Sequence, residues 1–172
     1  MFKTRLLSGI VLVIAAIFLI VTGNEVLLFS TLLISCIGMF ELFRVFKFEK
    51  SLLSFVPYIA LILFYINLRW SFIPDVMMLF MGFLIVLMFV YVLSYPKYDA
   101  KQLMAAFFGM FYVGTMLSYV YQIRTLNNGL YLAFLVFLCS WGCDTCAYCV
   151  GVLIGKHKMA PKLSPKKSIE GA

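Results

Sequence analysis

Near the C-terminal end of the sequence, a single acid lies within an apolar stretch and is followed by a cluster of lysines. Asp144 is that acid, and five lysines lie between Lys156 and Lys167. A charge near the middle of a membrane span costs about 2.5–3.5 kcal/mol, so such residues usually face a cavity, a partner or an ion. This arrangement suggests a site for a metal ion and a phosphate. The alternative is a buried acid that pairs with a lysine or a tyrosine for packing.

Helical geometry places further candidate residues beside this acid. At about 100° per residue, Asp144, Tyr148, Gly151 and Gly155 share one face of a helix. That face combines a carboxylate, a phenol and two positions at which another backbone can approach closely. It is therefore the face on which we expect chemistry.

The cysteines of the same stretch have a different interpretation. Cys143-x-x-Cys146-x-x-Cys149 matches part of an iron–sulfur run but lacks the fourth Cys and the Pro that follows it. No His lies within the span, so a zinc site is equally unsupported. Cys139, Cys146 and Cys149 point away from the acid, and we interpret these side chains as small packing residues.

Two readings remain open for the glycines that precede the basic segment. Gly151-x-x-x-Gly155 is a helix-packing pattern of small residues, and with Lys156 it also resembles a phosphate loop. A Walker A motif needs four residues between the glycines and Ser or Thr after the Lys, and here there are three and His157. A juxtamembrane His beside lysines favours an interfacial contact over a catalytic base.

The basic segment contains prolines and serines at regular places. We predict that Ser164-Pro165-Lys166-Lys167-Ser168 forms a shaped turn that presents donors to phosphate oxygens. Glu170 follows as a candidate metal ligand or lysine partner. The alternative is an electrostatic anchor on anionic lipid, which needs no particular spacing and contributes about 1 kcal/mol per lysine.

Composition predicts the scaffold that holds these residues. The chain has 172 residues, of which 65% are hydrophobic and 12% charged, far from the composition of a soluble domain. We predict an all-α polytopic membrane protein without a separate soluble domain, and we attribute its net charge of +7 to membrane orientation rather than to nucleic-acid binding. About six spans are long enough, near residues 6–22, 26–46, 52–68, 76–94, 103–121 and 130–155.

Loop charges orient these spans. If the N-terminus is cytoplasmic and the spans alternate, twelve lysines and arginines lie on the cytoplasmic side and only Arg69 and Arg124 on the other. This asymmetry follows the positive-inside rule. Residues 156–172 are then a cytoplasmic basic loop, on the side where nucleotides are.

The motifs together resemble a known family over about thirty residues. Asp144-x-x-Ala147-Tyr148-x-x-Gly151-x-x-x-Gly155-Lys156-His157-Lys158 and the later Ser164-Pro165-Lys166-Lys167-Ser168-x-Glu170-Gly171 resemble the N-terminal portion of the phosphatidate cytidylyltransferase family, also called CDP-diacylglycerol synthases. Ser168 stands where many members have Thr. The resemblance implies transfer of a cytidylyl group from CTP to phosphatidic acid, giving CDP-diacylglycerol and pyrophosphate, with Mg²⁺ as cofactor.

The same resemblance implies roles for individual residues. Asp144 would be a metal ligand and catalytic, together with Lys166 and Lys167. The implied substrate-binding residues are Ser164, Lys156, Lys158, Tyr148 and Glu170.

The family also implies a longer protein than this chain. Its members continue with further spans and a second signature rich in Asp, Lys, His and Gly. We therefore expect a truncated chain that is inactive by itself, from a multi-pass protein of the plasma membrane whose active site faces the cytoplasm. Its expected partners are CTP, phosphatidic acid and the lipid bilayer, without nucleic acid, and a homodimer stays open. A transporter or ion channel with an intramembrane Asp, and a non-catalytic membrane scaffold, are the alternative functions.

Overall fold

The computed structural model describes residues 2–160 and 164–171, with side chains described for residues 7–159, 164 and 167–171. Pro161 and Lys162, which belong to the predicted basic loop, lie outside the described residues. The described chain is helical except for one short hairpin. Its elements are α1 (Phe2–Thr22), α2 (Asn24–Val45), α3 (Leu52–Trp70), α4 (Val76–Leu93), α5 (Ala100–Phe108), a π-helical segment (Gly109–Thr115), α6 (Met116–Arg124), α7 (Gly129–Leu153), β1 (Lys158–Ala160) and β2 (Ser164–Ser168).

The helices are those of a membrane protein. Five of the described helical stretches are long and apolar enough to cross a bilayer, namely α2, α3, α4, the continuous stretch Ala100–Arg124, and α7. A shorter apolar stretch, Leu7–Thr22, belongs to α1. The prediction of an all-α polytopic membrane protein is confirmed, whereas the cytoplasmic orientation of the N-terminus stays a prediction.

The chain divides into two compact units. We call Met1–Asn127 the bundle unit and Asn128–Ala172 the hairpin unit. The sixth predicted span, which becomes α7, therefore groups with the basic segment that follows it. All candidate site residues lie in the hairpin unit.

Side-chain caps begin two helices of the bundle unit. The Ser51 hydroxyl accepts a hydrogen bond from the Ser54 amide at 3.3 Å at the start of α3. Asp75 caps α4 by accepting from the Met77 amide at 2.9 Å. Each cap satisfies a backbone donor that has no partner inside its helix.

Glycines bring the helices of the bundle unit into close contact. A methyl group added at Gly109 would lie 2.8 Å from the Phe43 ring, and one added at Gly114 would lie 2.5 Å from Leu61. Both glycines belong to the π-helical segment, within which the Thr115 hydroxyl donates to the Met110 carbonyl at 3.2 Å, five residues back. The wider turn and the missing side chains let this segment lie against α2 and α3.

The two basic residues predicted for the non-cytoplasmic side both have partners. Arg69 forms an ion pair with Glu25. Arg124 donates from Nε to the Ile20 carbonyl at 2.8 Å, and its Nη2 lies 3.4 Å from the Val21 carbonyl. These carbonyls end α1, where a cation is favoured by the helix dipole. The two exceptions to the loop-charge asymmetry are therefore structural contacts.

Candidate active site

The helix α7 carries the predicted acid and leaves most of its surface open. It runs for 25 residues, about 38 Å at about 1.5 Å per residue. Of its residues only Gly129 and Ala133 are buried. Asp144 and Tyr148 are both exposed, with 73% of the Tyr148 surface accessible.

The basic segment after α7 folds back as a β-hairpin. Strands β1 and β2 pair antiparallel, with Lys158 opposite Ser168 and Ala160 opposite Ser164, and the register shifts between these two positions. The prediction of a turn at Ser164–Ser168 is therefore wrong: these residues form β2. The physical reason is that pairing with β1 satisfies backbone donors and acceptors that a turn would leave to water.

Three glycines let the hairpin lie directly on α7. A methyl group at Gly171 would lie 2.5 Å from the Ala147 carbonyl oxygen and 3.0 Å from the Gly151 backbone. One at Gly155 would lie 2.2 Å from the Gly151 carbonyl oxygen and 2.6 Å from the Ser168 hydroxyl. The predicted close approach at Gly151 and Gly155 is confirmed. The Gly171 backbone approaches Gly151, whereas Gly155 lies against the Gly151 carbonyl and the Ser168 side chain.

Ser168 is buried at the junction of strand and helix. Its accessible fraction is 4%, and a methyl group at Gly151 would lie 3.2 Å from its hydroxyl oxygen. Among the described residues, this hydroxyl is the buried side-chain polar atom without a hydrogen-bond partner. Buried polar groups are nearly always partnered, so this hydroxyl is a candidate to bind water or a ligand.

Glu170 ties the end of the hairpin to the segment between α7 and β1. Its carboxylate accepts from the backbone amides of Lys156 at 3.2 Å and His157 at 3.2 Å, and from Nδ1–H of His157 at 2.8 Å. The hydrogen bond from its own backbone amide, followed by that from the His157 side chain, lowers the pKa of Glu170. The carboxylate is thus occupied within the hairpin unit and does not line the groove described next.

One groove brings most of the predicted site residues together. It has a volume of about 520 Å³ and lies between one face of α7 and the hairpin. From α7 it is lined by Asp144, Ala147, Tyr148, Gly151 and Val152, and from the hairpin and its end by Lys158, Ser164, Lys167, Ser168 and Gly171. Its volume falls within the range of about 300–1,000 Å³ typical of small-molecule sites.

The groove combines one acid with two cations that do not neutralise it directly. Asp144 faces the same space as Lys158 and Lys167, yet within the described residues it forms no ion pair closer than 4.0 Å. The packing alternative, in which Asp144 is tied to a lysine or tyrosine, has no contact to support it among these residues. An acid that lies apart from two lysines in one groove is suited to a ligand in which phosphate groups bind the lysines and an associated cation binds the acid.

Other predicted site residues lie elsewhere. Lys156 is exposed and does not line the groove, and it contributes its backbone amide to Glu170. Lys166 belongs to β2, but its side chain lies outside the described residues. Cys139, Cys143, Cys146 and Cys149 are free and exposed, and none of them lines the groove.

Five residues that line the groove had no individual site role in the sequence-based prediction: Ala147, Gly151, Val152, Ser168 and Gly171. Ser168 belonged only to the predicted donor-presenting turn, and Gly171 only to a motif. The available signal was the spacing of Gly151 and Gly155 by four residues, one helical turn, which predicts that something packs against that face. The sequence does not say that this partner is the strand ending in Ser168.

The coordinating side chains in the groove can hold a hard cation such as Mg²⁺ only if a bound ligand supplies further oxygen atoms. No group of three or more His, Cys, Asp or Glu side chains suited to a metal occurs among the described residues. Mg²⁺, however, is commonly held by one or two carboxylates together with substrate phosphates and water. Asp144 supplies one carboxylate, so the residues present fit such a shared site.

Comparison with known proteins defines the class of protein. Residues 3–172 match the model of the cytidylyltransferase family. This chain therefore belongs to that family.

Curated relatives narrow the comparison. The chain is 29% identical over 178 residues to the phosphatidate cytidylyltransferase of Bacillus subtilis (strain 168). It is 30% identical over 173 residues to the protein of the same name from Staphylococcus aureus (strain COL). Each match covers 98% of this chain and 65% of the relative, so the chain spans about two thirds of their length. No solved structure shows significant similarity to it.

Proposed function

We propose that the protein containing this chain transfers a cytidylyl group from CTP to phosphatidic acid, giving CDP-diacylglycerol and pyrophosphate. The observation that carries this proposal is the groove in which Asp144, Tyr148, Lys158, Ser164 and Lys167 come together. Membership of the cytidylyltransferase family supports the reaction class. The same membership favours this function over the transporter or channel alternative.

The reaction matches the chemistry that the groove offers. A phosphate oxygen of the lipid attacks the α-phosphorus of CTP, the bond from that phosphorus to the bridging oxygen breaks, and pyrophosphate leaves. The reaction needs mainly positioning and charge neutralisation. Lys158 and Lys167 would neutralise phosphate oxygens, and Lys166 would do the same from β2.

Hydroxyl groups would orient the phosphates. Ser164 lines the groove, and the unpartnered Ser168 hydroxyl gives a donor already stripped of water. A hydrogen bond from such a donor to a charged oxygen is worth about 1.5–3 kcal/mol. The phenol of Tyr148 would orient Asp144 or the substrate from the same helical face.

Asp144 would hold Mg²⁺ through its carboxylate, together with phosphate oxygens and with ligands from outside the described residues. The ion supplies charge neutralisation for the phosphates and the leaving group. Glu170 would not bind it, because its carboxylate accepts three hydrogen bonds within the hairpin unit. Its proposed role is to position the hairpin.

Location in the membrane belongs to the proposed function. Phosphatidic acid presents its headgroup at the membrane surface, and the groove lies where α7 meets a basic hairpin. We propose that this surface faces the cytoplasm at the plasma membrane.

The test follows two labels of CTP in membranes that contain the native protein and lack other cytidylyltransferases. With phosphatidic acid and Mg²⁺, label on the α-phosphorus should move into extractable lipid, while label on the γ-phosphorus should appear in pyrophosphate. Omission of phosphatidic acid or chelation of the metal should stop both. No lipid label from folded protein would contradict the proposal. Assayed alongside, the 172-residue chain tests the prediction that it is inactive alone.

A further inference from the structure

The bundle unit contains an apolar cleft that the proposed reaction does not use. It has a volume of about 680 Å³ and lies between α2, α4 and α5. Lys101 is the one charged residue that lines it. The apolar lining residues are Leu42, Phe46, Leu84, Leu87, Met88, Leu103, Met104, Ala105, Phe107 and Phe108. From Lys101 to Phe108 it follows α5 for about 10 Å along the helix axis, which suits a chain lying parallel to the helices.

Lys101 is an unusual residue for its place. It is exposed in the first turn of α5, where the helix dipole disfavours a cation. It has no ion pair within the described residues. An anion at the mouth of the cleft would therefore meet an ammonium group that has no ion pair among the described residues, whereas the positive end of α5 is already offset by its N-cap residue Asp99.

Hydrogen bonds of Gln102 hold the start of α5, on which Lys101 lies. The Gln102 amide donates to the Phe46 carbonyl at 3.2 Å and accepts from the Asp99 amide at 3.2 Å. These contacts tie the start of α5 to the end of α2. Lys97, in the loop between α4 and α5, lies 5.5 Å from the Tyr98 ring and does not line the cleft.

We propose that this cleft binds one anionic glycerophospholipid, with an acyl chain against α4 and α5 and its phosphate on Lys101. The apolar lining alone would take any acyl chain, because lipid tails gain little by moving from bilayer to protein. Lys101 adds selection for a net negative headgroup, worth about 1 kcal/mol for one lysine. The site is separate from the groove of the hairpin unit and does not depend on the proposed cytidylyl transfer.

The test reconstitutes the full chain in nanodiscs of equal parts phosphatidylglycerol and phosphatidylcholine, then counts by mass spectrometry the lipids retained in mild detergent. Phosphatidylglycerol is used because it is not the proposed substrate, so failure here leaves the proposed function untouched. The wild-type chain should retain phosphatidylglycerol in preference. Lys101→Gln should reduce that preference about five-fold, whereas Lys97→Gln, with the same charge change, should not.

A second pair of variants tests the acyl-chain half of the site. Met88→Trp fills the cleft and should lower retention of both lipids, whereas Met81→Trp, on the same helix and outside the cleft, should not. An unchanged preference in Lys101→Gln, or an equal loss in Lys97→Gln, would overturn the proposal. So would a dimer that Met88→Trp abolishes without any effect on lipid, because a second copy would then be the occupant.

Discussion

The bundle unit and the hairpin unit both depend on close approach at glycine, but the approaching atoms differ. At Gly109 and Gly114 in the bundle, an added methyl group would meet side-chain atoms of Phe43 and Leu61. At Gly155 and Gly171 in the hairpin unit, it would meet carbonyl oxygens at 2.2 and 2.5 Å. Side chains can rotate away from a new group and backbone cannot. The hairpin unit is therefore the less tolerant of the two, although it is the more exposed.

The two units also differ in whether their buried hydroxyl groups have hydrogen-bond partners. In the bundle, the buried Ser35 hydroxyl pairs with Tyr65 at 3.1 Å, and the Ser118 hydroxyl donates to the Thr115 carbonyl at 2.6 Å. In the hairpin unit, the Ser168 hydroxyl is buried without a partner among the described residues. The buried side-chain polar atoms described for the bundle all have partners, as those of a scaffold should. The hairpin unit keeps an unsatisfied group and an unpaired acid on one groove, as a binding site would.

The largest expected effect comes from removing the charge of the groove acid. Asp144→Asn should lower cytidylyl transfer by the native protein at least about 100-fold, because it removes the proposed metal carboxylate. The melting temperature should not fall, since Asp144 has no ion pair within the described residues to lose. Both quantities are measured on the same purified membranes.

Glu41→Gln is the control for that change, because Glu41 is exposed and pairs with Arg44 at 3.7 Å outside the groove. It should leave turnover unchanged. Normal turnover in Asp144→Asn would remove the metal-ligand assignment.

The next effect should come from Gly171→Ala. Its methyl group would press on the Ala147 carbonyl, and overpacking of this kind costs about 1–3 kcal/mol. We expect the hairpin to lift from α7, with faster amide hydrogen exchange in residues 164–171 and a loss of turnover of about ten-fold or more.

Gly142→Ala is the matched control on α7, since no atom lies within 4 Å of its added methyl group. It should be neutral or slightly stabilising, as Ala replaces Gly within a helix. Gly114→Ala extends the comparison to the bundle: it should lower stability there while the exchange of residues 164–171 stays as in the wild type. If Gly171→Ala and Gly142→Ala behave alike, the close approach of the hairpin has no consequence.

A smaller and more diagnostic effect is expected for Ser168→Ala. Removal of a buried hydroxyl without a partner should leave stability unchanged or raise it by about 1 kcal/mol. Loss of the proposed hydrogen bond to phosphate should lower turnover about ten-fold. Turnover should thus fall while the unfolding temperature stays the same or rises. A fall in both would mean that Ser168 is only a packing residue.

The smallest effect should be a pH dependence confined to the hairpin unit. Because its hydrogen bonds lower the pKa of Glu170, its carboxylate stabilises the hairpin fully above the ordinary value of about 4.3. That stabilisation is lost as the pH falls through the lowered folded-state value. Amide exchange in residues 156–171, corrected for intrinsic rate, should therefore accelerate in acid.

Glu170→Gln should remove most of this acid dependence, whereas Glu41→Gln should not. If amide exchange in Glu170→Gln still accelerates in acid, a group other than Glu170 causes the pH dependence.

The membrane fold was predictable from the sequence because its signal is local. Spans follow from the length of apolar runs, and the shared face of Asp144 and Tyr148 follows from the helical repeat. The π-helical segment was not predictable, because it depends on how Gly109 and Gly114 meet two other helices.

The hairpin was missed for a related reason. Pro165 and the lysines around it favour a turn locally, and the strand depends on pairing with residues 158–160. Glu170 was expected to meet a metal or a lysine, but its carboxylate instead accepts from the backbone amides of Lys156 and His157, in the segment that follows α7. Whether a polar side chain binds a ligand or forms hydrogen bonds with backbone amides of its own chain depends on the folded geometry rather than on residue type.

The contact between Arg124 and the end of α1 has a consequence for biosynthesis. Arg124 Nε donates to the carbonyl of Ile20, 104 residues earlier in the chain. An added methyl group at Gly23, which has a φ of 60°, would lie 3.2 Å from the same guanidinium. A ribosome therefore releases α1 long before the residue that completes its end has been made. Until then water or lipid headgroups must donate hydrogen bonds to the carbonyls at the end of α1. The helix can therefore pack fully against the bundle only after α6 has been synthesised.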